Sequence, residues 1–160
     1  MSKRADERAD VLLVCSCGGH LVQMLALNDA WDGLTRTWVT FDKSDSRSLL
    51  AGEQVVYAHG PTNRSPRNLL RNLLVAWRTL ARVAPRVIVT TGAGVAVPFV
   101  WIGRLRRIPV VYVESFTRIE KPSLTCRLVA RFATRTYVQW PELVPAVPGS
   151  RYAGTVFGRR

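Results

Sequence analysis

The stretch that decides the fold is LLVCSCGGHLVQM, residues 12–24: an apolar run, two adjacent glycines, a histidine and then amphipathic sequence. The run opens at Asp10 as DVLLVCS, rich in branched residues, with charge before it and glycine after it. That is how a parallel strand covered on both faces reads. Leu21, Met24, Leu25 and Asn28 then recur at helical spacing, so the pattern predicts a helix over 20–31. Further strand patterns lie at 36–41, 54–58, 86–91, 109–114 and 136–139, with helical patterns between most of them. Alternating strands and helices imply an α/β fold, a Rossmann-like and mainly parallel sheet with helices on both faces.

The chain has 160 residues, enough for one domain with a proper core. Residues 1–9 read as a charged lead-in and 10–160 as a single domain. No apolar h-region with a cleavage site follows the lead-in, and no stretch reaches the ~20 apolar residues that span a bilayer. Neither a signal peptide nor a transmembrane helix is expected. Three cysteines in such a chain suggest reduced thiols rather than a disulfide framework. Cys15, Cys17 and His20 lack a fourth ligand, and small buried thiols at a strand end explain both cysteines, so no metal is expected; nor is a cofactor expected.

The formal net charge is +12. From Glu53 to Glu114 no acidic residue intervenes, while Arg64, Arg67, Arg71, Arg78, Arg82, Arg86, Arg104, Arg106 and Arg107 fall in that interval. Such a block attracts nucleic acid, an anionic membrane or a diphosphate.

The clearest helix starts at Ser65, an N-cap, with Pro66 in the first helical position and Pro85 closing the segment. Leu69, Leu70, Leu73, Leu74, Trp77, Leu80 and Ala81 make a wide apolar face. Arg67, Arg71, Arg78 and Arg82 fall within about one sixth of the circumference at ~100° per residue. AGVAVPFVWIGRLRR, residues 93–107, is apolar nearly all round and ends in three arginines within four residues. Both segments suit either an ordinary surface and core packing or a bilayer interface. On the interfacial reading the membrane contacts are Arg67, Arg71, Trp77, Arg78 and Arg82, then Phe99, Trp101, Arg104, Arg106 and Arg107.

Two glycine turns follow strands: Ser16-Cys17-Gly18-Gly19-His20 and Thr91-Gly92-Ala93-Gly94. Both belong at the carboxyl edge of one sheet, where open α/β sheets bind ligands and where helix N-termini favour anions. The first turn lacks GxGxxG spacing, which argues against a nicotinamide enzyme even though Asp42 follows strand two. His20 fits a general base, a phosphate donor or a helix cap equally well.

SCGGHL, TGAGVAVP, VYVESFTRIEKPSLTCRL and TYVQWPEL, in that order, resemble the motifs of the accessory subunit of split glycosyltransferases. These are bacterial capsule and exopolysaccharide proteins of the PssD type and the eukaryotic membrane-anchor subunit of the two-part UDP-GlcNAc transferase. The resemblance implies the N-terminal, acceptor-binding half of a GT-B enzyme of the MurG kind. A separate catalytic subunit would bind the UDP-sugar. The two chains together would glycosylate a polyprenyl-diphosphate-linked saccharide at the cytoplasmic membrane face, with this chain attached peripherally.

The same resemblance places Ser16, Gly18, Gly19, Thr91, Gly92, Ala93, Gly94, Ser115, Arg118 and Lys121 at the acceptor diphosphate and sugar. It makes His20 a candidate base and Glu114 a catalytic-site acid that binds the acceptor sugar, holds His20 or is simply a buried acid with its own partners. Tyr152, Gly154, Val156 and Phe157 are expected at the partner interface. No nucleic acid is expected as a partner. The rival reading is a scaffold that recruits the partner to the membrane and carries no catalytic group.

Overall fold

Apolar residues alternate across the sheet so evenly that the central strands serve two cores. The computed structural model describes residues 8–62 and 65–158, and Arg64 therefore lies outside the described residues. The strands are β1 (Val11–Val14), β2 (Arg36–Phe41), β3 (Val55–Ala58), β4 (Val87–Thr90), β5 (Val110–Val113), β6 (Arg135–Val138) and β7 (Arg151–Tyr152). The helices are α1 (Gly19–Leu25), α2 (Ser44–Leu49), α3 (Pro66–Val83), α4 (Ala96–Leu105) and α5 (Leu124–Val129). All strand pairs are parallel, in the order β3-β2-β1-β4-β5-β6-β7.

Leu12, Val14, Ile88, Val110 and Tyr112 face one side, in a core with Ala76, Leu80, Phe99 and Val100. Val11, Leu13, Cys15, Trp38 and Val89 face the other, with Leu21, Met24 and Trp31. Each large side chain so buried contributes roughly 1.5–3 kcal/mol. Both faces of the central strands are therefore needed, which explains their unbroken apolar runs.

Three expectations need correction. The first helix ends at Leu25, and a separate 3₁₀ turn covers Asn28–Trp31. The Asn28 side chain accepts the indole N–H of Trp31 at 3.0 Å, and this local bond turns the chain so that Trp31 enters the core. The packed fold also begins earlier than residue 10: Ala9 is buried and its N–H donates to the Val83 carbonyl. Residues 1–7 of the lead-in lie outside the described residues.

The third correction concerns α3. Ser65 caps it through the Asn68 N–H, as expected. Its core side, however, is Asn72, Ala76, Thr79, Leu80 and Val83, while Leu70, Leu74 and Trp77 are exposed. Asn72 is buried because its amide brackets the backbone of His59, accepting from its N–H at 2.8 Å and donating to its carbonyl at 2.9 Å. Satisfying that polar pair fixes the helix rotation and leaves half of the leucine face outside.

Candidate functional site at the switch point

From β1 the chain winds outward through β2 and β3, and from β4 it winds the other way through β5, β6 and β7. The crevice between β1 and β4 is the switch point at which such sheets take ligands. Val14 and Thr90 are register partners there, so the two glycine turns face each other.

They are clasped together. The Nδ1 atom of His20 lies 2.7 Å from the Thr91 carbonyl oxygen, and the Thr91 hydroxyl donates to the His20 carbonyl at 2.9 Å. A carbonyl only accepts, so Nδ1 is the donor, and of the two neutral tautomers the contact selects the one with its lone pair on Nε2. Gly92 makes the approach possible: its φ is 100°, and a Cβ there would come 3.1 Å from the Tyr112 hydroxyl and 3.6 Å from His20 Cε1.

An open groove of about 1520 Å³ spreads from this crevice. Ser16, His20, Ala93, Gly94, Ser115 and Arg118 line it. Asp42, Lys43, His59 and Arg71 join them, so the basic side chains of Lys43, Arg71 and Arg118 outweigh the acid of Asp42 in the lining. Gly18 and Gly19 are exposed turn backbone beside it, Thr91 and Gly92 are buried, and Lys121 is exposed outside it. Gly94 is required by packing, since a Cβ would meet the Thr62 side chain at 2.7 Å. The wall at 59–62 was missed from sequence. It lies at the carboxyl end of β3, where the rule applied to β1 and β4 would have found it.

Asp45 also escaped notice. Its carboxylate accepts the Gly18 N–H at 2.8 Å, so that donor of the first turn is already engaged. Asp42 pairs with Arg47, which holds its carboxyl below the usual range.

Glu114 does not hold His20. It is 1 % exposed, and its carboxylate accepts from the Ser115 N–H at 2.8 Å, the Ser123 N–H at 2.9 Å and the hydroxyls of Tyr112 and Ser123. Its backbone carbonyl accepts from Gln23 at 3.1 Å and Gln139 at 2.8 Å. Of the three readings, the buried acid with its own partners is the one observed, and it organises the loop behind Ser115 and Arg118. Burial, with the Glu114 charge adding to it, raises the Tyr112 hydroxyl pKa and pushes the Cys126 thiol up to about 12. Both groups therefore stay neutral.

Of the supposed membrane contacts, Phe99 is overturned: it is fully buried against the sheet. α4 covers the sheet with its Phe99 ring, in one core with Ile88, Val110 and Tyr112. Trp101 is half-buried and its indole donates to the Leu128 carbonyl at 3.4 Å. Arg67, Arg71, Arg78, Arg82, Arg104 and Arg107 are exposed. The Arg106 guanidinium lies 4.3 Å from the centre of the exposed Trp77 ring. Leu70, Leu74, Trp77 and Leu105 thus form an exposed apolar ridge on α3 and α4 flanked by arginines. Among the described residues no helix is long and apolar enough to cross a membrane.

At the far edge, Tyr152 and Phe157 are about half exposed, Gly154 is exposed and Val156 is half-buried. The Val156 N–H donates to Gln139 Oε1 at 2.9 Å, and the Phe157 ring meets Phe116 edge-on at 4.8 Å. Tyr152 belongs to β7, which extends the sheet by a short exposed strand. Among the described residues no group of three His, Cys, Asp or Glu is placed to hold a metal ion.

A parallel sheet in this order, with its groove at the switch point, defines a Rossmann-like domain of the GT-B glycosyltransferase kind. It superposes on MurG of Acinetobacter baumannii with a TM-score of 0.73 at 19% identity, over 94% of this chain and 47% of that one. A UDP-N-acetylglucosamine 2-epimerase from Rickettsia bellii matches with a TM-score of 0.70 at 10% identity, over 91% and 44%. The chain spans about half the length of these two structures.

The family is narrower than the fold: residues 57–156 match the model of the Alg14-like oligosaccharide biosynthesis proteins, and the chain belongs to that family. It is 30% identical to the UDP-N-acetylglucosamine transferase subunit ALG14 of Eremothecium gossypii, over 91% of this chain and 79% of that protein. The alg14 subunit of Schizosaccharomyces pombe is 26% identical over 97% and 87%. A Bacillus thuringiensis UDP-N-acetylglucosamine–N-acetylmuramyl-(pentapeptide) pyrophosphoryl-undecaprenol N-acetylglucosamine transferase is 26% identical, over 86% of this chain and 42% of that one.

Proposed function

We propose that this protein is the acceptor-side subunit of a membrane-associated glycosyltransferase. A separate chain binds a UDP-sugar, and the two together glycosylate a polyprenyl-diphosphate-linked saccharide at the cytoplasmic face of the membrane, in capsular or exopolysaccharide assembly. The observation that carries the reading is His20, clasped by Thr91 at the mouth of a cationic groove with Nε2 left to accept a proton. Lys43, Arg71 and Arg118 supply charge for a diphosphate. The imidazole takes the proton of the acceptor hydroxyl as that oxygen attacks the sugar's anomeric carbon and UDP leaves. Ser115 and the Ala93-Gly94 backbone bound the acceptor, the ridge of α3 and α4 rests on anionic lipid, and Tyr152–Phe157 face the partner.

The test is reconstitution. The protein and its candidate partner are combined with UDP-N-acetylglucosamine and a lipid-linked acceptor, with each chain alone as control. Transfer that needs both chains supports the reading, and full transfer by the partner alone overturns it. One observation favours the scaffold alternative: the Asp45 carboxylate on the Gly18 N–H sets negative charge where a diphosphate would approach. A His20→Ala complex with undiminished turnover would establish that alternative.

A further inference from the structure

We propose that Gln139 is a positioning residue for the acceptor: it ties the partner-facing segment Tyr152–Phe157 to the loop at 114–118 on the groove, so that seating the partner steadies the acceptor wall. The inference rests on the proposed function, which supplies the two ligands, and adds the link between them.

Gln139 follows β6 directly, opens the QWPEL stretch and is 2% exposed. It does not line the groove. Its amide reaches two distant segments: Nε2 donates to the Glu114 carbonyl at 2.8 Å, and Oε1 accepts the Val156 N–H at 2.9 Å. A carbonyl only accepts and an N–H only donates, so the amide has one orientation and both contacts need it. A second tie lies beside it, where the Phe116 and Phe157 rings meet edge-on.

Phe116 carries this contact into the groove loop. Its N–H donates to Gln23 Oε1 at 3.1 Å, and its carbonyl accepts the Trp140 indole N–H. Gln23, on the helix that bears His20, also donates to the Glu114 carbonyl, so two buried amides converge on one oxygen. Ser115, Thr117 and Arg118 line the groove as one tight turn around Phe116. The Ser115 and Thr117 hydroxyls lie 2.9 Å apart, and the Arg118 N–H donates to the Ser115 carbonyl at 3.0 Å. Displacing Phe116 therefore displaces the groups that would meet the acceptor.

The other end is lightly covered: Tyr152, Ala153, Gly154 and Phe157 are exposed. A segment with so little cover opens locally, and each opening withdraws Val156 from Gln139 and Phe157 from Phe116. A partner seated on Phe157 closes it and holds Gln139 and Phe116 in place. The effect is reciprocal, since an acceptor that holds Ser115 and Arg118 must favour the partner by the same factor.

The test compares amide hydrogen exchange over residues 114–118 in the full chain, alone and saturated with its candidate partner, without acceptor or UDP-sugar. In the wild type the partner should slow exchange there about tenfold. Gln139→Met keeps the volume and removes both bonds, so it should abolish that slowing. The Glu114 carbonyl keeps Gln23, so folding should survive. A purely structural amide predicts faster exchange with and without the partner, at an unchanged ratio. Should Gln139→Met fail to fold, Phe157→Leu removes the edge contact at an exposed ring and should lower the ratio by itself. The reciprocal readout is partner affinity, which N-acetylglucosamine diphosphate on a single prenyl unit should tighten about tenfold in the wild type and leave unchanged in Gln139→Met. An unchanged exchange ratio in the variants, no slowing over 114–118 when the partner binds, or no tightening by the prenyl diphosphate overturns the link, and the proposed function stands as long as transfer needs both chains. A chain that binds no partner overturns the function and the link together.

Discussion

His20 and Thr91 hold each other at both ends: ring nitrogen to carbonyl at 2.7 Å, hydroxyl to carbonyl at 2.9 Å. The pair joins residues 71 positions apart across the switch point and leaves only Nε2 of the imidazole uncommitted within the clasp. His20→Ala should therefore lower kcat of the reconstituted enzyme by about 10²–10⁴-fold while acceptor KM and partner affinity change little. Thr91→Val keeps the carbonyl and removes the hydroxyl, so it should cost less than His20→Ala in a single-turnover assay.

Glu114 gives the opposite expectation. Glu114→Ala would strand the N–H groups of Ser115 and Ser123 in a buried site, at about 1–3 kcal/mol for each unpaired group. Urea denaturation should register that loss, with Glu114→Gln retaining more stability than Glu114→Ala. A stable Glu114→Ala protein with normal unfolding would refute the organising role.

Gly94 has no room for a side chain. Gly94→Ala pushes against Thr62 and should destabilise the protein by about 1–3 kcal/mol. Combining it with Thr62→Gly should recover part of that, so the two substitutions will be non-additive in a denaturation cycle.

At the outer strands, Arg36 grips Glu53 through two bonds, of 3.0 and 2.6 Å, and the Trp38 indole adds a third. The hydrogen bonds from Arg36 lower the Glu53 pKa from its ordinary 4.5. Stability from this contact is therefore complete above the unfolded pKa and is lost as pH falls through the lower folded one. Melting temperature should drop more steeply in the wild type than in Glu53→Gln between roughly pH 5 and pH 3.

The ridge should control lipid binding. Leu70→Ser with Leu74→Ser removes side chains each worth ~1.5–3 kcal/mol when fully buried. Partitioning onto anionic vesicles should fall at least about tenfold, measured by co-sedimentation.

Sequence revealed the sheet because period and punctuation are local: six of the seven strands announce themselves as short branched runs ending near glycine, proline or charge. The two-residue β7 has no such signal and exists only through its pairing with β6. The two glycine turns and His20 were legible for the same reason. Rotation of α3 was not, because it hangs on the Asn72 side-chain amide meeting the His59 backbone, a contact that an amphipathic pattern does not encode. Phe99 misled since an all-round apolar helix looks alike in a core and in a bilayer. Glu114 could be placed near the site, but whether it faced the groove or the protein depended on Ser123 folding back over it.

The stacking of Arg106 on Trp77 bears on the entropy of membrane contact. An exposed indole normally forfeits rotamer freedom when it settles against lipid, at about 0.5–1.5 kcal/mol for an immobilised side chain. Here the guanidinium already holds the ring, so much of that cost falls on folding instead of on adsorption, and the ridge is preorganised. Planarity of the guanidinium is what achieves this, and lysine at 106 would keep the charge yet release the ring.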